Sequence, residues 1–594
     1  MENRKTKIIS VVAVVALALT VITATYAYFN AQVGDPAVAD IKVNANTVDT
    51  FTFSSGSAIS FSINQDNFAS GKGNQTGSTY ASALLTANNK TNTATEHYYL
   101  YLNIENNTFT YSINESTPEI IMTVTDSAGN EVTDISTLNH VIVTGANRAQ
   151  VSGYDITNKN GLITLFNNRE ITTTSSKEER WNIKVTFVNY DASQNANAGK
   201  SMSAKVMIQK EKINLLADYV KSQYTGTQGE NSIYYHDANL TNGAGDNSYR
   251  YAGGDYVLTE AGKATGATMM IGYDNTVTTA LIDFYCNGTK QYVGYKCDAS
   301  QAHYYLIKGD TTQYQTYKET LNKAVEKGYL TKDNVKNFVC FGTNTTPCPT
   351  DNLYRIIGVF GNNVKLIKWD YAKSSLLGTD GDFSEEYSSY FSGEQGENPT
   401  SNSLYYWNNS TQTNTWSESN LNKINLNQNF VNNIGTEWAA KIAETTWKVG
   451  GNTWANIAGA TPSVAYQNEV VNPVTTNTSD GAKEYTAKIG LMYVSDYYYA
   501  AGQSAWTLVG YNSSDATKDY RFSTGENWLY GGGWDWTISR IADYSDYAFL
   551  VGGGGSVGND GVYGSRGVRP SFNLESTVKY VSGSGSMSDP VRVN

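Results

Sequence analysis

The sequence predicts a multidomain chain: an N-terminal transmembrane helix, then an all-β sandwich, then an α+β domain. Three observations carry that prediction. Residues 8–29 form an uncharged apolar run. Residues 30–210 hold several runs in which apolar and polar side chains alternate with period two, separated by polar turns. From residue 211 helical periodicity and a heavy aromatic load take over. The 594 residues exceed one ordinary domain. Charged residues make up only 16%, so the polar character comes from Asn, Thr, Ser, Gly and 44 Tyr. That balance suits a surface β-protein rather than a long helical or disordered chain.

The apolar run reads IISVVAVVALALTVITATYAYF and is long enough to cross a hydrocarbon core. Arg4, Lys5 and Lys7 precede it, which places the N-terminus inside and the bulk outside. The membrane is therefore an expected partner, through residues 8–29. Thr25 and Ala27 are small residues where a signal peptidase reads, so cleavage after Ala27 is the alternative to an anchor. Either way, residues 30–594 are expected outside. The chain is then a single-pass cell-membrane protein, or a secreted or cell-wall-associated one if cut. A net charge of −12 lacks the basic field that nucleic acid requires, so no nucleic-acid partner is expected.

Within 30–210, Trp181, Ile183, Val185 and Phe187 alternate with polar residues, and Met202, Ala204, Val206 and Ile208 repeat the pattern. Leu100, Leu102 and Ile104 do so more weakly. SAGN (127–130) and NKNG (158–161) are turn signals between such runs. Many short strands with polar turns predict a β-sandwich without helices, a stalk or a module that associates with copies of itself.

The domain 211–594 opens on a helical stripe of Ile213, Leu216, Ala217, Val220 and Tyr224, stopped by Gly226. Tyr314, Tyr317, Leu321, Ala324 and Val325 mark a second helix, ended by Gly328. Residues 257–336 are expected to be an insertion. YRIIGVF and VKLIKWD around GNN predict a hairpin over 354–370. Residues 417–430, with Ser417 or Ser419 as cap, and 435–447 are predicted helices. Strand-like pieces joined by Gly-rich loops follow residue 485.

Four cysteines stand at 286, 297, 340 and 348. Export lets disulfides persist. The spacings suit Cys286–Cys297 and Cys340–Cys348, although four cysteines allow three connectivities. Zinc ranks below disulfides, because C-x2-C spacing is absent and only His303 is near.

The C-terminal order LYRIIGVF, VKLIK, IGLMYVSDYYYA, ENWL, WTISR, AFLV, GVRPSFNL and SGSGS…DPVRV resembles uncharacterised bacterial surface domains. Those are similar to the C-type-lectin-like fold, in the branch shared with formylglycine-generating enzymes. The resemblance covers roughly 350–594 and, more loosely, starts near 213. It implies an α+β fold that presents loops to a ligand. It does not bring the enzymes' cysteine chemistry, since no cysteine follows Cys348. TYAYFNA (25–31) ahead of an all-β domain resembles TasA/camelysin-type exported proteins, some of which build matrix fibres.

No catalytic motif emerges. The histidines are His97, His140, His236 and His303, so a Ser-His-Asp site cannot form within the later residues. Acidic residues Glu385, Glu386, Asp496, Glu526 and Asp535 show no pairing spacing. The expectation is no enzymatic activity and no cofactor. GTDGDFSEE (378–386) places Asp380, Asp382 and Glu385 on a Gly-containing loop, a candidate calcium site. ENWLYGGGWDWTISR (526–540) gathers three tryptophans around three glycines. Trp536, Arg540, Val568 and Arg569 read as core. Trp528, Tyr530 and Trp534 are the candidate ligand-binding rings, because flat aromatics stack on sugar faces. The predicted function is an adhesin-like surface protein that recognises a glycan or cell-surface ligand. A matrix or surface-layer subunit is the alternative, and a hydrolase with an unrecognised site is third.

Overall fold

The computed structural model describes residues 49–594, apart from 64–72, 89–91, 147, 254–256, 268–279, 292–294, 296, 299, 316, 332–334, 388–401, 459, 474–481, 508–526, 532 and 553–554. The apolar run 8–29 lies outside the described residues. Among those described, no helix is long and apolar enough to cross a membrane. The chain divides into two compact units between Ile213 and Asn214.

The first unit has strands β1 (Thr50–Ser55), β2 (Ile59–Ser62), β3 (Gln75–Thr86), β4 (Ala94–Asn107), β5 (Ile120–Thr125), β6 (His140–Thr144), β7 (Gln150–Asp155), β8 (Gly161–Thr173), β9 (Ser176–Phe187) and β10 (Ser201–Gln209). They form a six-stranded sheet, β1-β3-β9-β5-β7-β6, and a four-stranded sheet, β2-β10-β4-β8. The period-two residues explain the arrangement. Ile183, Val185 and Phe187 of β9, Leu100, Leu102 and Ile104 of β4 and Met202, Ala204 and Val206 of β10 are buried in one shared core. Trp181 closes that core and donates Nε1–H to the Tyr98 hydroxyl at 2.7 Å. Among the described residues of this unit, the only helical element is a short turn, Asn195–Asn197.

The second unit is built on a nine-stranded sheet. Its main path runs Ile489–Gly490, Ser571–Asn573, Asn363–Lys368, Leu353–Phe360, Phe338–Cys340, Val591–Val593, Tyr580–Ser582. The predicted hairpin supplies two central strands, 353–360 and 363–368, paired antiparallel. Ser248–Tyr251 lies against 353–360, and a Cβ at Gly358 would meet the Tyr249 carbonyl oxygen at 2.3 Å, so glycine is required there. Residues 591–593 pair parallel with 338–340. A four-stranded sheet joins Gly451–Asn452, Asp535–Ile541, Tyr547–Val551 and Val557–Gly561. Phe383–Tyr387, Asn402–Tyr406 and Ser565–Arg566 make a three-stranded sheet.

The first stripe forms Leu216–Ser222, with Leu216, Ala217 and Val220 in the core. The second forms Tyr317–Glu326, where Leu321 and Ala324 are buried but Val325 is exposed. Leu421–Phe430 is a π-helix, and the Ser419 hydroxyl accepts the Asn422 amide at 3.2 Å. The predicted helix 435–447 shrinks to Thr436–Ala439. Its second half, Thr445–Lys448, is a strand on Glu484–Ala487, where β-branched Thr445 and Thr446 fit better than in a helix.

Between Val257–Leu258 and Leu330–Thr331, which pair with each other, the chain builds a small core of its own. Its sheet, Thr289–Gln291, Ile282–Cys286 and His303–Ile307, is pinned by the disulfide Cys286–Cys297. Cys340–Cys348 closes the second disulfide, and among the described residues no cysteine is free.

Candidate functional site

The three candidate rings separate. Trp528 is only 5% exposed and belongs to the main core of the second unit. Its Nε1–H donates to the Tyr251 carbonyl at 2.9 Å, and the Arg355 guanidinium sits 4.7 Å from its ring. It is therefore a core residue, which corrects the platform expectation. Tyr530 is half-buried against the same core. Trp534 is 47% exposed. The glycines thus place the outward ring after them and the inward ring before them. Trp536, Arg540, Val568 and Arg569 are buried. Arg540 donates to the Ala482 carbonyl at 2.8 Å and Arg569 to the Leu529 carbonyl at 2.7 Å. Arg569 also pairs with buried Asp535.

Trp534 is held where it is by the chain that returns beside it. Gly567 donates its N–H to the Trp534 carbonyl at 3.0 Å, and Trp536 donates to the Gly567 carbonyl at 3.1 Å. That pairing brings Arg566 next to the indole, its guanidinium 5.2 Å from the ring centroid. Arg566 in turn forms an ion pair with Asp560. Asp560 sits on Val557–Gly561, opposite Ala548 of Tyr547–Val551. Its Oδ1 accepts the Gly561 amide at 2.9 Å.

Tyrosines continue the strip. Tyr563 is 45% exposed and Tyr544 is 51% exposed. The rings of Tyr544 and Tyr547 meet edge to face at 5.6 Å. The Tyr563 hydroxyl beside Tyr547, with the nearby Asp546 and Asp560 carboxylates, holds the Tyr547 phenol above its ordinary value. Two glycines make room for this packing. A Cβ at Gly561 would meet Tyr563 Cζ at 2.5 Å, and one at Gly564 would meet Asp560 Oδ2 at 2.5 Å. The result is a surface strip of Trp534, Arg566, Asp560, Tyr547, Tyr563 and Tyr544. It offers flat apolar rings beside a fixed donor and a fixed acceptor.

Sequence reading reached Trp534 and missed the others. Its available signal was Asp560, Gly561, Tyr563, Gly564 and Arg566 within one short turn, a cluster that polar loop composition hides.

The calcium candidate does not assemble. Asp382 is buried, and its carboxylate accepts the amides of Asn409 and Leu421, each at 3.3 Å. Burial raises its pKa. Exposed Asp380 accepts from Asn429 at 2.6 Å, and Glu385 is exposed on its own strand. Among the described residues, no three His, Cys, Asp or Glu side chains gather to hold a metal ion.

The other weighed carboxylates disperse as well. Asp496 pairs with Lys365 in the interior, Asp535 with Arg569, and Glu386 accepts from Ser403 at 3.1 Å on the surface. Glu526 lies outside the described residues. No protein-family model matches the chain, and no curated protein matches it.

Proposed function

We propose that the chain is an exported, membrane-tethered surface protein whose second unit binds a glycan on the strip around Trp534. The observation that supports this reading is a half-exposed indole fixed by backbone pairing beside the Arg566–Asp560 couple. A sugar's C–H face stacks on the ring and excludes water there. Arg566 donates to hydroxyls and Asp560 accepts from them, and their mutual pairing holds both in place before the ligand arrives. Tyr563 and Tyr544 extend the apolar contact to a neighbouring sugar. The lectin-like resemblance of the C-terminal sequence supports the same reading. A glycan array probed with the full chain tests it. Saturable binding to a defined set of glycans is expected, lost in Trp534→Ala with the near-ultraviolet circular dichroism unchanged. Binding that persists in that variant overturns the reading.

A second reading, self-association through the sandwich, has its own supporting observation. Strand β6 is an edge of the six-stranded sheet, and Ile142 on it is 66% exposed. Open edges carrying apolar side chains invite pairing with another strand. Under this reading Ile142→Lys abolishes assemblies seen by light scattering, and assemblies unaffected by it exclude β6 as the contact.

A further inference from the structure

Three buried ionisable groups that the strip does not use, Lys365, Asp496 and Glu469, come close together in the second unit. Lys365 projects from the strand Asn363–Lys368, and Asp496 from the first turn of the helix Val494–Tyr499. Lys365 Nζ lies 2.5 Å from Asp496 Oδ2, and both side chains are almost wholly enclosed. The rings of Tyr493, Trp447 and Phe360 stand 4.6, 5.4 and 5.8 Å from Nζ and screen it from water. A third buried ionisable group, Glu469, comes from the π-helical turn Gln467–Val471. One of its oxygens accepts the amide of Ser495, the residue before Asp496, at 2.6 Å, and the other accepts the Ser539 hydroxyl at 2.6 Å.

Two other buried ion pairs, Arg250–Asp246 and Arg569–Asp535, use guanidinium, which does not lose its proton and is no nucleophile. Buried Lys368 donates to a backbone carbonyl, that of Asp351, at 2.9 Å. Lys365–Asp496 differs: an amine is pressed on a carboxyl group in a dry, aromatic setting.

We propose that Lys365 and Asp496 join in an intramolecular amide cross-link made by the chain itself, with Glu469 as the positioning residue that holds the backbone next to Asp496 through the Ser495 amide. The amine must be uncharged and the carboxyl protonated before they react. Burial favours the uncharged amine, since a lone buried charge is costly away from water. It lowers the Lys365 pKa, and it pushes Glu469 up to about 7. One proton passes from Nζ to Oδ2 along the existing contact. The freed lone pair attacks Cγ, and the Nζ–Cγ bond forms. A second proton leaves nitrogen for the departing hydroxyl, the Cγ–Oδ2 bond breaks, and one water is released. Amine plus acid gives amide plus water, so no oxidant or co-reactant is required. Alignment replaces activation: well-oriented intramolecular partners react as though at about 10⁵–10⁸ M. The product also removes a buried charge pair. It fastens a central strand of the large sheet to a helix 131 residues further along the chain.

Mass spectrometry of the full chain, denatured and with disulfides reduced, tests this directly. Digestion should yield a branched peptide joining Lys365 to Asp496, lighter than its two parts by one water. Lys365→Arg keeps the charge and should give only separate peptides. Asp496→Asn should give the same branched peptide as the parent, with ammonia lost in place of water. Glu469→Ala should slow cross-linking at least tenfold while near-ultraviolet circular dichroism stays the same. Separate, unlinked peptides from folded parent protein overturn the cross-link. Linking in Glu469→Ala at the parent rate overturns the role of Glu469. Glycan binding is not read in any of these measurements, so this proposal and the one for Trp534 fail independently.

Discussion

Trp528 and Trp534 flank the same three glycines, yet one indole carries the second unit's core and the other faces water. What separates them is distant in sequence. Tyr251 offers a carbonyl to the Trp528 indole, and Arg355 covers its ring while donating to Asn337 at 2.6 Å. A loop has no period, so neither partner can be read from the glycines' neighbourhood. The two positions therefore respond differently to the same truncation. Trp528→Ala leaves a cavity and an uncovered guanidinium, and should lower unfolding free energy by about 3–5 kcal/mol. Trp534→Ala should stay within about 0.5 kcal/mol of the parent while losing the glycan. Denaturant midpoints of the two variants, measured side by side, check both statements.

Elements were legible where one face is buried. Period-two alternation identified β4, β9 and β10, because a sheet with one face against a core imposes it, while the Gly-containing turn identified the hairpin 353–368, whose strands are buried on both faces. The strand Asp535–Ile541 is buried throughout, yet Trp536 and Ile538 alternate with Asp535, Thr537 and Ser539, so it too was legible as a strand. Residues 435–447 read as helix because their apolar spacing is ambiguous over a short run, and strand pairing with 484–487 decided the outcome. The element pinned by Cys286–Cys297 makes a test at this scale. Cys286 is part of the small core between 257 and 331, apart from the main core. Replacing both cysteines by serine should speed amide hydrogen exchange across 282–307 and leave 353–368 protected. Equal loss of protection in both stretches would show that the small core has no separate stability.

Across the whole molecule, the order of strand-rich and mixed regions follows from composition, but the order of strands within the nine-stranded sheet does not. Residues 591–593 enter it parallel, beside 338–340, a pairing that closes across most of the second unit. Such long-range closure is also how Glu469 comes to be buried: its partners Ser495 and Ser539 arrive from separate segments. Burial is the largest cause of its raised pKa, and the neighbouring Asp496 charge adds to it. The consequence appears in global stability. Between the ordinary carboxyl value of 4.5 and about 7, folded Glu469 retains a proton that the unfolded chain has already released. Stability from this group is therefore fully present below about 4.5, falls as pH rises toward about 7, and changes no further above it. The full effect is on the order of 3 kcal/mol. Conversion of Asp496 to an amide removes the smaller contribution and leaves burial, so the direction of the trend survives cross-linking. Glu469→Gln cannot titrate. The difference in unfolding free energy between parent and variant, followed from pH 4 to pH 8, should widen in the variant's favour with rising pH and then level off. A difference that stays constant across that range would mean that Glu469 keeps its solution acidity inside the fold.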